Sequence, residues 1–193
     1  VLAGRYDNRR LVPFGEYIPR RPVLFFRRKL PPGDADFSSG KRPALFPLPG
    51  GPVAASVCYE AIFPGILRGD VLAGARWLVN VTNDAWFGDT VAPRQHLAMA
   101  RLRCVEFRRP MVRAANSGIS AVFDERGEGK ASLGLFRRGI VVSEVQPGTG
   151  LTPYAKTGDM FGISCSIIAA LTLIFPQRGI HGIRMAGRKD HGA

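Results

Sequence analysis

Short, largely apolar runs rich in β-branched residues, each broken off by a polar turn, most constrain how this chain can fold. Val53–Val57 and Trp77–Val81 are two such runs, and Met111–Ala114, Ile119–Phe123 and Gly139–Val145 repeat the pattern. Runs of this length bounded by turn signals suit strands buried on both faces. Between them, Gln95–Phe107 sets Leu97, Ala98, Arg101, Leu102 and Val105 at helical spacing, and Pro110 closes the segment. Pro64–Ala73 is a shorter helical candidate. Strands alternating with helices, then strands joined through Asp124-Glu125-Arg126-Gly127, predict an α/β layered sheet with an antiparallel portion.

The remainder of the 193 residues reads differently. Residues 1–52 are rich in Pro, Gly and Arg and predict long loops, with one short helix around Val23–Arg28. The start, Val1-Leu2-Ala3-Gly4, has neither an initiator Met nor a leader pattern, and the chain reads as the back part of something longer. Lys and Arg number 27 against 15 acidic residues, a net charge of +12, which suits an anionic surface nearby. The basic residues are dispersed in pairs such as Arg9-Arg10 and Arg108-Arg109, each most simply a solvated face. With no zinc-finger spacing and no RNA-binding aromatic motif, a nucleic-acid partner is not expected.

Met160–Phe175 is uncharged, largely apolar and ended by Pro176. As a helix it spans about 24 Å, short of a hydrocarbon core of about 30 Å, so length alone allows a buried helix or a membrane span. Arg178, Arg184, Arg188 and Lys189 follow it, which favours a span with the C-terminus in the cytoplasm and the patterned domain outside. The expected division is a domain over 1–150, a linker over 151–159, a transmembrane helix over 160–176 and a basic cytoplasmic tail over 177–193.

Cys58, Cys104 and Cys165 are an odd set without CxxC spacing, which gives neither a disulfide framework nor a metal site. Cys58 follows directly on the Val53–Val57 run. A thiol at a strand end, where the chain turns sharply, stands exposed on a rigid support beside backbone N–H groups; a buried structural cysteine is the bland alternative. The loop Asn83-Asp84-Ala85-Trp86-Phe87-Gly88 concentrates amides, a carboxylate and aromatics where α/β sheets bind ligands. An Asx turn would account for Asn83 and Asp84, though not for Trp86 and Phe87. Arg113–Ser120 needs no more than a turn between two strands. His96 is a lone helical histidine with no second histidine in the patterned region, which argues against a Cys–His pair and leaves carboxylates to activate a thiol.

Five segments carry a resemblance. Tyr6-Asp7 with Leu11-Val12-Pro13-Phe14-Gly15-Glu16-Tyr17-Ile18-Pro19, Cys58-Tyr59-Glu60, Asn83–Gly88 with Gln95-His96, Arg113–Ala121 and Leu151-Thr152-Pro153-Tyr154 resemble, in order, the apolipoprotein N-acyltransferase family of the nitrilase (carbon–nitrogen hydrolase) superfamily. The resemblance implies part of a nitrilase-like α-β-β-α sandwich, followed by a transmembrane helix. It implies acyl transfer from a phospholipid, through a thioester on Cys58, to the amine of a diacylglyceryl-modified apolipoprotein, with no cofactor or metal. Cys58, Glu16 and Glu60 are the implied catalytic residues, and Tyr59, Asn83, Asp84, Trp86 and Phe87 the candidate substrate-binding ones. It places the whole protein in the cell inner membrane as a multi-pass protein, with its catalytic domain periplasmic. A soluble nitrilase-type amidase and a catalytically dead remnant are the rival readings. Two departures stand out: the family's general-base Glu lies upstream of these segments, and its triad Lys is matched by Asn8. If Asn8 points inward on an extended segment, neighbouring Arg9 points away and does not replace it.

Overall fold

The computed structural model describes residues 4–18 and 37–174; the helix expected around Val23–Arg28 and the tail 177–193 lie outside them. Leu45–Phe46 forms β1, Val53–Val57 β2, Pro64–Leu72 α1, Trp77–Asn83 β3, Ala92–Phe107 α2, Met111–Asn116 β4, Ser120–Phe123 β5 and Gly129–Leu133 β6. They make one six-stranded sheet in sequential order, parallel across β2–β3–β4 and antiparallel elsewhere. The parallel pairs are joined through α1 and α2, as crossover connections require. Asp124–Gly127 makes the β5–β6 turn, with Gly127 at φ 76° and the Asp124 carboxylate accepting the N–H groups of Arg126 and Glu128.

The register decides what each face of the sheet carries. Ala54, Leu78, Met111 and Phe123 stand side by side across β2, β3, β4 and β5. This apolar row joins Leu67, Val71, Ala100, Cys104 and Phe107 of α1 and α2 in the core. Two residues nearer the C-terminal ends of the parallel strands, on the same face, the row becomes Ser56, Asn80 and Arg113, all buried. The core therefore turns polar as it approaches Cys58.

The opposite face is apolar and partly uncovered, with Val81 and Val112 exposed by 45% and 41%. In the sandwich that the resemblance implies, a second sheet would cover this face. The chain prepared alone without detergent is expected to self-associate through it. A monodisperse monomer in size-exclusion chromatography with light scattering would contradict that expectation.

One expected strand does not form. Gly139–Val145 has the right composition, but no described strand pairs with it, and Ile140 and Val142 stand 91% and 85% exposed. Strand-forming side chains without a ladder partner leave the segment irregular. The β5 partner is instead β6, less apolar and closer along the chain. The stretch expected as a linker contains the helix α3, Pro153–Thr157, which seats Ala155 in the core. Arg68 donates to the carbonyls of Ala155 and Lys156, and the compact unit runs to Gly158.

A second unit begins at Asp159 and contains α4, Met160–Ile174, whose large apolar side chains are exposed. No helix of the described residues is long and apolar enough to cross a membrane.

Candidate active site

At the end of β2 the chain turns at once into a 3-10 helix, Cys58–Ile62. Half-buried Cys58 takes a left-handed backbone, φ 48°, which costs a non-glycine residue about 1–2 kcal/mol and persists only where the surroundings impose it. Two groups of contacts do so.

Glu60 supplies the first. It is fully buried, and its Oε2 accepts the Val57 N–H at 2.6 Å and the Tyr6 hydroxyl at 2.7 Å. Its Oε1 accepts the N–H groups of Arg9 at 2.5 Å and Arg10 at 3.2 Å. These four donors replace the hydration that the carboxylate loses on burial. Burial, with Glu60 as acceptor, pushes the Tyr6 phenol above its usual range, so it stays protonated and donating. Arg9 lays its guanidinium on Asp70, with Nη1–Oδ1 3.0 Å and Nη2–Oδ2 2.5 Å. Arg10 lies over the Phe63 ring at 4.8 Å. Asn8 stands between these anchors; its Oδ1 accepts the Arg10 N–H at 3.0 Å, and its carbonyl accepts the Gly40 N–H at 2.8 Å.

The second group is the polar row behind the turn. Asn80 Nδ2 donates to Ser56 Oγ at 3.1 Å. Arg113 donates through Nη1 to Asn80 Oδ1, and through Nη2 to Asp84 Oδ2 at 2.9 Å. Thr82 Oγ1 donates to Asp84 Oδ1 at 2.9 Å. His96 Nδ1 lies 3.0 Å from Asp84 Oδ1, and its Nε2 lies 3.1 Å from the Cys58 carbonyl oxygen. A carbonyl only accepts, so Nε2 carries the proton. Burial alone would raise the Asp84 carboxyl, but the bond to His96 and the Arg113 guanidinium outweigh it and hold Asp84 below its usual range. Gly118, just after β4, leaves room for this carboxylate; a Cβ there would overlap it.

The residues singled out in the sequence separate into distinct positions. Cys58, Tyr59 and Glu60 share the turn, with Tyr59 edge-on to Phe63 at 4.8 Å between ring centroids. Glu16 accepts the Val12 N–H at 2.8 Å and closes its own loop. Asn83 is exposed and makes the Asx turn, accepting the Ala85 N–H at 3.2 Å. Asp84, a candidate to meet substrate, instead faces inward at 2% exposure among protein donors. Trp86 is well exposed, and Phe87 meets the His96 ring edge-on. Cys104 is a core residue whose thiol burial pushes up to about 12, and Cys165 lies on α4. Sequence reasoning did not rank His96, Arg113, Gly118 or Tyr6 as site residues. A charged residue inside the otherwise apolar Met111–Ala114 run was the signal for Arg113.

Comparison with known proteins places the chain in a family. A family model described as carbon–nitrogen hydrolase matches residues 1–154. An apolipoprotein N-acyltransferase of Geobacter metallireducens is 44% identical over 182 residues, covering 93% of this chain and 35% of that protein. One of Methylococcus capsulatus is 47% identical over 190 residues, covering 96% and 37%. The chain thus spans about a third of the length of the curated relatives it matches. Among solved structures, a cysteine-to-serine mutant of a Nesterenkonia amidase from the nitrilase superfamily aligns with a TM-score of 0.51 at 19% identity. That alignment covers 83% of this chain and 56% of the amidase, a likeness of fold.

Proposed function

Because the chain belongs to the carbon–nitrogen hydrolase family, we propose that it is the nucleophile-bearing part of an apolipoprotein N-acyltransferase, with Cys58 as acyl carrier. The observation that carries this reading is Cys58 held left-handed at the end of a parallel strand, with every motif segment of the unit but the last anchored around it. In the first step the Cys58 thiol passes its proton to a general base, and sulfur attacks the ester carbonyl of a phospholipid. The S–C bond forms, an oxyanion develops, and its collapse breaks the C–O bond while the base returns the proton to the leaving oxygen, releasing a lysophospholipid. In the second step the amine of a diacylglyceryl-modified apolipoprotein attacks the thioester. The C–N bond forms, the C–S bond breaks, and the thiolate regains a proton. A thiol suits both halves, because thiolate is strongly nucleophilic and its thioester stays reactive towards amines.

Glu60, saturated by four donors, acts in this reading as the anchor of the turn rather than as a base. Exposed Trp86 and half-buried Phe87 and Tyr59 offer apolar surface beside the thiol's turn for an acyl chain. Residues 160–176 complete the reading as a membrane span that keeps the domain on the periplasmic face of the inner membrane. The apolar, uncharged α4 and the basic residues beyond it support that placement.

The test uses the whole gene product and a phospholipid donor with one labelled acyl chain. Peptide mass spectrometry is expected to find the acyl mass on Cys58, removable by neutral hydroxylamine and missing in Cys58→Ala. Undiminished transfer by Cys58→Ala would overturn the reading.

A further inference from the structure

The peptide joining Cys58 to Tyr59 is gripped by its carbonyl. That oxygen points at His96 Nε2, 3.1 Å away. A trans peptide is planar and sets its C=O and N–H in opposite directions. The Tyr59 N–H therefore points away from His96. The backbone N–H following a nucleophile is well placed to donate to the oxygen of an acyl group under attack.

His96 has little freedom to turn. Its Nδ1 stands 3.0 Å from Asp84 Oδ1 and 3.1 Å from Arg113 Nη2, and the Phe87 ring meets it edge-on with 5.9 Å between centroids. Asp84 is fixed by Thr82 and Arg113, and Arg113 by Asn80, so the hold on His96 reaches back into β3 and β4. Gly118 keeps the space that this carboxylate occupies.

Resting on the acyl-transfer reading above, we propose that His96, held by the Asp84 carboxylate that Arg113 fixes, is a positioning residue that aims the Tyr59 N–H at the developing oxyanion. His96 touches neither thiol proton nor substrate in this role. Its Nε2 proton is committed to the Cys58 carbonyl, and its Nδ1 faces Asp84 and Arg113. When sulfur attacks, the S–C bond forms and the carbonyl π pair moves onto oxygen, where the Tyr59 N–H meets it. No proton passes through the histidine.

The test compares His96→Gln with His96→Asn in the whole gene product. Gln sets an amide N–H near the Nε2 position and can still hold the Cys58 carbonyl; Asn reaches only the Nδ1 position. Two reactions of Cys58 are followed. Acylation by p-nitrophenyl acetate passes through an oxyanion, whereas alkylation by iodoacetamide is a direct displacement and forms none. His96→Gln is expected to acylate within about fivefold of the unaltered protein. His96→Asn is expected to lose about a hundredfold or more in single-turnover acylation. Both are expected to alkylate within about threefold of the unaltered protein, which reports an intact turn. Equal acylation by the two variants would overturn the proposal, as would parallel losses of acylation and alkylation. Acylation of the unaltered protein by the activated ester but not by phospholipid would sink only the functional reading. Failure with both would sink the two together.

Discussion

Glu60→Leu is expected to lower the stability of the domain by about 4 kcal/mol or more and its melting temperature by roughly 10 °C. Leucine fills a similar volume but leaves the N–H groups of Val57 and Arg9 and the Tyr6 hydroxyl without their Glu60 acceptor, while the Arg10 N–H keeps Asn8 Oδ1. Each donor so stranded costs about 1–3 kcal/mol, and the three share one carboxylate, so their costs combine less than additively. Glu60→Gln should cost less. Its amide oxygen still accepts two donors, and the Tyr6 hydroxyl can rotate to accept from the new NH2 group. The function should fall further than the stability. Glu60 ties the residue before Cys58 to the segment carrying residue 8, so its loss lets both drift, and displacements of about 1 Å cost on the order of a hundredfold in rate. Thermal denaturation of the detergent-solubilised whole protein, read beside single-turnover acylation of Cys58, checks both effects. A Glu60→Leu protein that melts within about 2 °C of the unaltered one and still acylates would remove Glu60 from its place as anchor.

The sheet was legible because strand burial writes itself into composition. Val53–Val57 and Trp77–Asn83 form where apolar runs stand between turn signals, and α2 ends at Phe107, with Arg108 left-handed at φ 50° before Pro110. Gly139–Val145 shows the limit of that signal, because a strand also needs a neighbour and composition names none. The site was half legible. Cys58 announced itself by following a strand, yet the reasons it is held in place are long-range. His96 lies 38 residues from the carbonyl it holds, and Tyr6 lies 54 residues from Glu60. Residue types could nominate Asp84 and Glu60 as polar candidates near the thiol. Only the register, which sets Ser56, Asn80 and Arg113 in one buried row, turns Asp84 inward. Arg113–Ser120 had looked like a turn needing no function. Its first half is the end of β4 and only residues 117–119 make the turn, and together they carry the guanidinium and the glycine that accommodate Asp84.

Asn8→Lys is expected to raise the rate of Cys58 acylation by about a hundredfold or more. The argument is electrostatic. A tetrahedral oxyanion gains most from a fixed positive charge in a partly desolvated site, and a neutral amide supplies only a dipole. Residue 8 belongs to a segment tied to this turn, because the N–H groups of residues 9 and 10 are bonded to Glu60, two residues after Cys58. The charges beside it are engaged elsewhere, Arg9 with Asp70 and Arg10 over Phe63. In its present form Asn8 turns its oxygen back to the Arg10 N–H. Lysine gives up that local bond, worth about 1 kcal/mol, for an ammonium on a four-carbon stem. Asn8→Met separates charge from length, since it extends the side chain without an ammonium and should acylate no faster than the unaltered protein. Single-turnover acylation of the whole gene product by a phospholipid donor distinguishes the outcomes. If lysine and methionine give the same rate, residue 8 is not the oxyanion's partner. If lysine alone accelerates, the asparagine is what holds this chain's chemistry back, and the scaffold around Cys58 is otherwise competent.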